Sequence, residues 1–196
     1  MRVRNCAQVA VIAMFLVPAS AKDLSKIEHN HGINHDIQNE DIHITGDIVD
    51  GWGSITTKKS VTIDGVIKDH SAIRITADGS VTIRGIDEKS SVVIHAGGPV
   101  KIVYISAANA VPPSGPSGAW IQGHSIEVSD KVNYGSNVHL YAPDHILINV
   151  VNDDDTQINY CTSPGNFLVR HKESKALVQS IGGAANYETC KPTMVP

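Results

Sequence analysis

The chain repeats a short pattern of alternating apolar and polar residues. The segments DIHITGDI, SVTIDGVI and SVTIRGID begin at Asp41, Ser60 and Ser80, so the pattern returns about every 20 residues. Each copy contains two Val or Ile residues that are separated by one polar residue. Residues two apart share one face of a strand, and β-branched side chains favour strands over helices. The pattern therefore predicts short strands with one buried face.

The pattern continues along most of the chain. Its first apolar position falls on Ile42, Val61, Val81, Val100, Ile126 and Ile146, and its second on Ile44, Ile63, Ile83, Ile102, Val128 and Ile148. A second set of apolar pairs interleaves with it at Ile73/Ile75, Val92/Ile94 and Val138/Leu140. Short strands that recur at this spacing bury their apolar faces by stacking coil on coil. We therefore expect an all-β, single-domain parallel β-helix (β-solenoid) of about six coils.

A glycine follows three of these strands. Gly46, Gly65 and Gly85 occupy the same place after the apolar pair. Glycine adopts positive φ without a steric penalty, so the pattern predicts that the coil turns a corner there.

The first residues have the composition of a secretory signal peptide. Arg2 and Arg4 precede the apolar run Val9–Val17, and Ala19-Ser20-Ala21 resembles a cleavage site. This order is typical of signal peptides, and the run is shorter than the roughly 20 residues of a membrane-spanning helix. We therefore expect residues 1–21 to be removed and the protein to be secreted or periplasmic.

Charge restricts the partners. Removal of residues 1–21 leaves 14 Lys and Arg residues against 20 Asp and Glu residues, a formal charge of −6. Nucleic acids and anionic membranes bind basic surfaces, so neither is an expected partner, and no membrane insertion is expected. The composition indicates neither a particular ligand nor an oligomeric state.

An insertion interrupts the repeat. The spacing between Val100 and Ile126 is 26 residues instead of 19 or 20, and residues 110–120 are rich in Pro and Gly. Pro112 and Pro113 disfavour a central strand. We therefore expect a loop at 110–120, with Pro112, Pro113 and Trp120 as candidate binding residues or as a tolerated surface insertion.

The ends of the chain differ from its middle, which predicts a solenoid over residues 41–160. Residues 22–40 are rich in His and Asn and predict a polar leader or an N-terminal cap. Residues 161–196 contain the two remaining cysteines, and two cysteines in an exported protein most simply form one disulfide. We expect a Cys161–Cys190 bond that ties a C-terminal cap to the last coil.

The phrases ITGDI, TIDGVI and TIRGI resemble the repeats of bactofilin-type β-solenoids. They lie within residues 41–104, about a third of the chain. The resemblance implies a parallel β-helix fold, and no functional residue is carried over from it.

Two groups of residues have the chemistry of metal ligands. His29, His31, His35 and His43 lie close together in sequence and are candidates for a divalent metal, with a solvated leader as the alternative. The run Asp153–Asp155 carries oxygen ligands suited to calcium, but it lacks the interleaved glycines of a repeating calcium-binding turn, which favours a solvated corner. No resident cofactor is expected otherwise.

One set of residues would suit catalysis. Parallel β-helices commonly act on acidic polysaccharides, and such chemistry needs ionisable groups that converge on a groove. The candidates lie near the corners of adjacent coils and are Asp64, Asp69, His70, Arg84 and Asp87.

The sequence therefore favours one function and leaves two alternatives. The first is an exported, non-enzymatic β-solenoid that serves as a structural or ligand-binding module, with a glycan or another cell-surface component as partner. The second is a small lyase or hydrolase that acts on polysaccharides. The third is a periplasmic metal-binding protein that uses the N-terminal histidines.

Overall fold

The fold is described from a computed structural model. The structure describes residues 22–24, 27–28, 32–106, 118–153, 155–173, 175–181 and 190. For residues 22–24 and 27–28 it describes only the backbone. The predicted signal peptide, His29, His31, Pro112 and Pro113 lie outside these residues. None of the described residues belongs to a helix long and apolar enough to cross a membrane.

The described chain forms an all-β parallel solenoid of about seven turns, close to the predicted six. Its strands are β1 (Lys22–Leu24), β2 (Ile27–Glu28), β3 (Gly32–Ile37), β4 (Ile42–Ile44), β5 (Ile48–Val49), β6 (Trp52–Thr57), β7 (Val61–Lys68), β8 (Ala72–Ala77), β9 (Val81–Ile86), β10 (Ser91–Ala96), β11 (Val100–Ser106), β12 (Ala119–Gln122), β13 (Ile126–Asn133), β14 (Asn137–Tyr141), β15 (Ile146–Val151), β16 (Gln157–Cys161), β17 (Phe167–Lys172) and β18 (Leu177–Ser180).

The strands form two parallel sheets. The first sheet has the order β1-β4-β7-β9-β11-β13-β15-β17, and the short strands β2 and β5 pair beside it. The second has the order β3-β6-β8-β10-β12-β14-β16-β18. Each coil therefore adds one strand to each sheet, at a spacing of about 4.8 Å along the axis.

The repeated phrase sets the register of the first sheet. Its six first apolar positions pair with one another from coil to coil, and so do its six second positions. All twelve side chains are at most 1% exposed. The interleaved pairs align in the same way in the second sheet, where Ala119 and Ile121 fill the places between Val92/Ile94 and Val138/Leu140. The Val and Ile columns of both sheets form the core.

Parallel strands also lie on both sides of the predicted range 41–160. In β3, Ile33 is 3% exposed, and this strand pairs with β6 along its full length. At the other end, Phe167 pairs with Ile146 and packs against the core. The ring of Phe167 stacks on Tyr160 of the second sheet, with centroids 3.6 Å apart. Aromatic side chains from both sheets therefore close the described core at this end.

The prediction that the repeated glycines have positive φ is wrong. Gly46, Gly65 and Gly85 are absent from the positive-φ glycines, which are Gly53, Gly118, Gly135 and Gly165 among the described residues. Gly65 is required by close approach instead, because a Cβ there would lie 2.2 Å from the carbonyl oxygen of Gly46.

The corners between the two sheets use other residues. Left-handed backbone occurs in these turns at Asp50, Asp69, His70, Glu88, Lys89, Tyr134 and Asp153. Fully buried hydroxyl groups support two of the turns. Ser71 Oγ donates to the carbonyl of Lys68 at 2.6 Å, and Ser136 Oγ donates to that of Asn133 at 2.5 Å.

Candidate functional site

The five candidate catalytic residues fall into two places. Asp64 and Arg84 lie within strands of the first sheet. Asp69, His70 and Asp87 lie in the turns that lead to the second sheet. The Asp64 carboxylate is 2.7 Å from His43 Nε2, so its partner is a residue outside the candidate set.

The turn residues form contacts within the corner. His70 N–H donates to the carbonyl of Glu88 at 3.0 Å. A hydrogen bond with the Asp69 side chain raises the pKa of Glu88, and burial and repulsion from Asp69 add smaller contributions. Lys68 Nζ lies 3.2 Å from Asp47, whose hydrogen bond and charge raise the pKa of Lys68. Lys68 and Asp47 therefore form an ion pair at this corner, whereas the Asp69 carboxyl disfavours ionisation of Glu88.

Of the two described histidines of the predicted metal site, one faces the interior of the solenoid and the other faces outward. His35 pairs with buried Ile55 in an inward column of the second sheet. His43 pairs with Thr62 in an outward column of the first sheet. Within the described part of the chain, no group of three or more His, Cys, Asp or Glu residues is arranged to hold a metal. The hypothesis therefore depends on His29 and His31, and stays a prediction.

The predicted disulfide is present. Cys161 and Cys190 are bonded, with Cα atoms 5.8 Å apart, and Cys161 at the end of β16 is fully buried. The bond joins the C-terminal segment to the second sheet.

Trp120 belongs to strand β12 and not to the predicted loop. Its strand neighbours Ala119 and Ile121 are fully buried, so Trp120 points outward. Residues 107–117 lie outside the described residues.

The outer face of the second sheet, which we call the second-sheet wall, carries aromatic and amide side chains in register. Its central column contains Asn34, Ser54, Arg74, Val93, Trp120, His139, Asn159 and Gln179. Trp52 lies in the flanking column that also contains Gly32 and Ala72. Of these residues, only Trp120 was a candidate from the sequence.

Trp52 presents an open aromatic face. A Cβ on Gly32 would lie between 3.1 and 3.5 Å from three carbons of the six-membered ring of Trp52. The outer carbons of this ring therefore lie close to Gly32, which is itself exposed. Trp52 is 55% exposed, so much of its aromatic surface is open to solvent. Beside it, Ser54 Oγ donates to Asn34 Oδ1 at 3.3 Å.

A second aromatic group lies three coils further along the wall, about 14 Å away at the spacing of parallel strands. Trp120 stacks on His139 with ring centroids 4.1 Å apart, and Tyr141 lies 6.0 Å from Trp120. Within the described part of the chain, the ring nitrogens Nε1 of Trp120 and Nδ1 of His139 are buried without a hydrogen-bond partner. Each such group costs roughly 1–3 kcal/mol, which reduces the net stabilisation that the stack provides.

Burial controls the titration of this stack. It lowers the pKa of His139, which favours the neutral imidazole, and it raises the pKa of Tyr141. Both rings are therefore uncharged near neutral pH.

Amide side chains link neighbouring coils along the wall. Gln179 Nε2 donates to Asn159 Oδ1 at 2.6 Å, and His95 Nδ1 donates to Gln122 Oε1 at 3.3 Å. An amide has two donors and an acceptor with two lone pairs, so Asn159 and Gln179 retain capacity for further hydrogen bonds. The wall therefore combines aromatic faces with neutral hydrogen-bonding groups.

The comparisons with known proteins give no functional information. No family model, no curated protein and no solved structure matches the chain significantly. The β-solenoid part of the sequence resemblance is confirmed by the fold, and no family match supports bactofilin-type repeats specifically.

Proposed function

We propose that this protein is an exported, non-enzymatic β-solenoid that binds a glycan through the second-sheet wall. The sequence of residues 1–21 supports export, and the Cys161–Cys190 disulfide is typical of an oxidising compartment. The fold supplies a rigid face on which side chains recur at a fixed spacing.

The observation that carries this proposal is the position of Trp52 over Gly32. The face of an aromatic ring is electron-rich, so it attracts the weakly positive C–H groups of a sugar ring. The proximity of the Trp52 ring to Gly32 of the neighbouring strand restricts the side chain before binding, which reduces the conformational freedom that binding would cost. Its open face is therefore a preformed surface for one sugar ring.

The rest of the wall suits a neutral glycan. Arg74 carries the one formal charge among the eight described residues of the central column when His139 is neutral. Hydroxyl groups of a sugar both donate and accept, and so do the side chains of Asn34, Ser54 and Asn159. Sites for small molecules combine apolar surface with a few placed polar groups, and this wall has both.

The positions of the candidate catalytic residues favour binding over catalysis. General acid–base chemistry needs its groups within hydrogen-bond reach of one substrate. Asp64 and Arg84 lie within strands, whereas Asp69, His70 and Asp87 occupy turns. Asp64 contacts His43, Asp69 contacts Glu88, and the charges of Arg84 and Asp87 both act on the Tyr104 hydroxyl.

A glycan array with the mature protein and two variants tests the proposal. We expect Trp52→Ala to weaken binding to the bound glycans by about tenfold or more, as removal of a central aromatic contact does elsewhere. Trp52→Tyr keeps an aromatic face and should retain most of the binding. Tyr134→Ala is the control, because Tyr134 is 64% exposed but lies in a corner away from the wall.

A reducing-end assay on every bound glycan tests the enzymatic alternative in the same samples. The proposal predicts binding that depends on Trp52, without turnover. Catalytic cleavage of a bound glycan, no binding at all, or equal binding by the wild type and Trp52→Ala would contradict it.

A further inference from the structure

A half-open pocket lies on the outer face of the first sheet, on the side of the solenoid opposite the second-sheet wall. It has a volume of about 120 Å³ and is lined by Glu127, Val128, Ser129, Leu147, Asn149 and Arg170. These residues come from β13, β15 and β17, three consecutive strands of the first sheet.

A bulge in β13 explains why a pocket exists there. Val128 pairs with Ile148 and Lys131 pairs with Val150, so Ser129 and Asp130 together oppose the single residue between those two partners, Asn149. An extra residue bends the strand and turns its side chains away from the regular column. The base of the pocket is rigid, because the Val128 side chain is fully buried in the core.

The side chains around the pocket have complementary chemistry. Glu127 pairs in register with Leu147 in one column. Asn149 and Arg170 lie opposite each other in adjacent strands. They stand between the paired residues Ile148/Val169 and Val150/His171. The pocket therefore has a carboxylate on one side, a guanidinium two coils away, and neutral polar groups between them.

These polar side chains are available to a ligand. Within the described part of the chain, no side-chain hydrogen bond or ion pair engages Glu127, Ser129, Asn149 or Arg170. Glu127 and Asn149 are partly buried, whereas Ser129 and Arg170 are exposed. Binding would add hydrogen bonds here without breaking existing ones between side chains.

We propose that this pocket binds a small hydroxylated carboxylate, of which a sugar acid is the model. The Arg170 guanidinium matches a ligand carboxylate with two parallel N–H donors. Glu127, Ser129 and Asn149 pair with the ligand hydroxyl groups, and Leu147 packs against its C–H groups. The pocket is smaller than the roughly 300–1,000 Å³ of sites for drug-sized ligands, so it holds a single ring.

This site is independent of the glycan-binding wall. The pocket belongs to the first sheet and selects a negatively charged group, whereas the wall belongs to the second sheet and is nearly neutral. Loss of Trp52 should leave the pocket intact, and loss of Arg170 should leave the wall intact, so the two proposals fail separately.

Glucuronate and glucose are the probes, because they share a ring and most hydroxyl groups and differ in the carboxylate. Binding is measured by chemical-shift titration of the ¹⁵N-labelled mature protein. Arg170→Gln removes the guanidinium and should weaken glucuronate binding by about tenfold or more, the usual effect of losing a charge-assisted pair. Lys58→Gln is the control, because it removes an exposed cation from a corner away from the pocket.

The proposal predicts that glucuronate shifts the amide signals of Glu127, Ser129, Asn149 and Arg170, that glucose binds much more weakly, and that Lys58→Gln behaves like the wild type. Because Arg170 is exposed, its variant should melt at the wild-type temperature. Equal binding of glucose and glucuronate, equal binding by Arg170→Gln, or shifts confined to other surfaces would overturn it.

Discussion

The phenol ring of Tyr104 occupies the space that a side chain on Gly85 would need. The two residues pair in adjacent strands, and a Cβ on Gly85 would lie 2.5 Å from Cζ of the ring. In the preceding coil, a Cβ on Gly65 would meet the backbone of Gly46 at 2.2 Å. The same slot in the repeat therefore excludes side chains for two different reasons.

Alanine at these two glycines should have different effects. Gly85→Ala should cost about 1–3 kcal/mol, because the Tyr104 ring must shift. Adding Tyr104→Ala should recover part of that loss. Gly65→Ala should cost more, because the backbone of Gly46 cannot move without breaking the register. Chemical denaturation of the single and double variants measures these energies, and equal costs at Gly65 and Gly85 would contradict the explanation.

The sequence was sufficient to predict the core and its register. Each Val or Ile of the repeated phrase has the same inward position in the structure, because the two-residue alternation and the near-constant spacing leave one way to bury all of them. The ends were harder to predict, since Phe167 and Val169 replace the Val and Ile of the phrase. In the second coil Gly53 occupies the inward place that Ile73 fills in the third.

The wall was not predictable from the apolar pattern alone. Trp52 and Gly32 are 20 residues apart and become neighbours only when the register is known. The glycine φ values were also mispredicted, because residues such as Asp69 and His70 take the left-handed positions. Asp is tolerated in left-handed backbone because its side chain hydrogen-bonds with nearby backbone groups. The sequence alone, however, does not reveal which corners require left-handed backbone.

Aspartate substitutions should separate the two faces of a strand. Ile83 is fully buried, and its neighbour Thr82 is exposed. Ile83→Asp would place an unpaired charge in the core and should cost several kcal/mol. Thr82→Asp should change the free energy of unfolding by less than about 0.5 kcal/mol. Urea denaturation measures both, and similar destabilisation by the two variants would contradict the register.

Reduction of the disulfide should loosen the C-terminal end first. The bond between Cys161 and Cys190 closes a separation of 29 residues, which in the chain-entropy model is worth about 3–4 kcal/mol. Hydrogen exchange should show lost protection in β16 and β18 before β7–β10. The Cys161→Ser/Cys190→Ser variant should reproduce this order under oxidising conditions. Uniform loss of protection along the solenoid would show that the bond does not act locally.

Acidification should destabilise the aromatic stack through His139. Burial lowers its pKa below the ordinary 6.5, so the unfolded chain takes up this proton at a higher pH than the folded protein. The contribution of His139 to stability is therefore complete above about pH 6.5 and declines as the pH falls towards the folded pKa.

Thermal melts between about pH 8 and about pH 5 measure this dependence. His139→Gln should make the melting temperature less sensitive to acid, whereas His124→Gln, at an exposed corner, should behave like the wild type. Unchanged pH sensitivity in His139→Gln would exclude this histidine as the cause.

The most direct test of the proposed function is a chemical-shift titration of the mature protein with a neutral oligosaccharide selected on the array. We expect saturable shifts of the Trp52 indole N–H and of the backbone amide groups of Asn34 and Ser54, all on the second-sheet wall. Shifts confined to the first sheet or to the corners around Asp69 and Asp87, with the Trp52 indole signal unchanged, would contradict it.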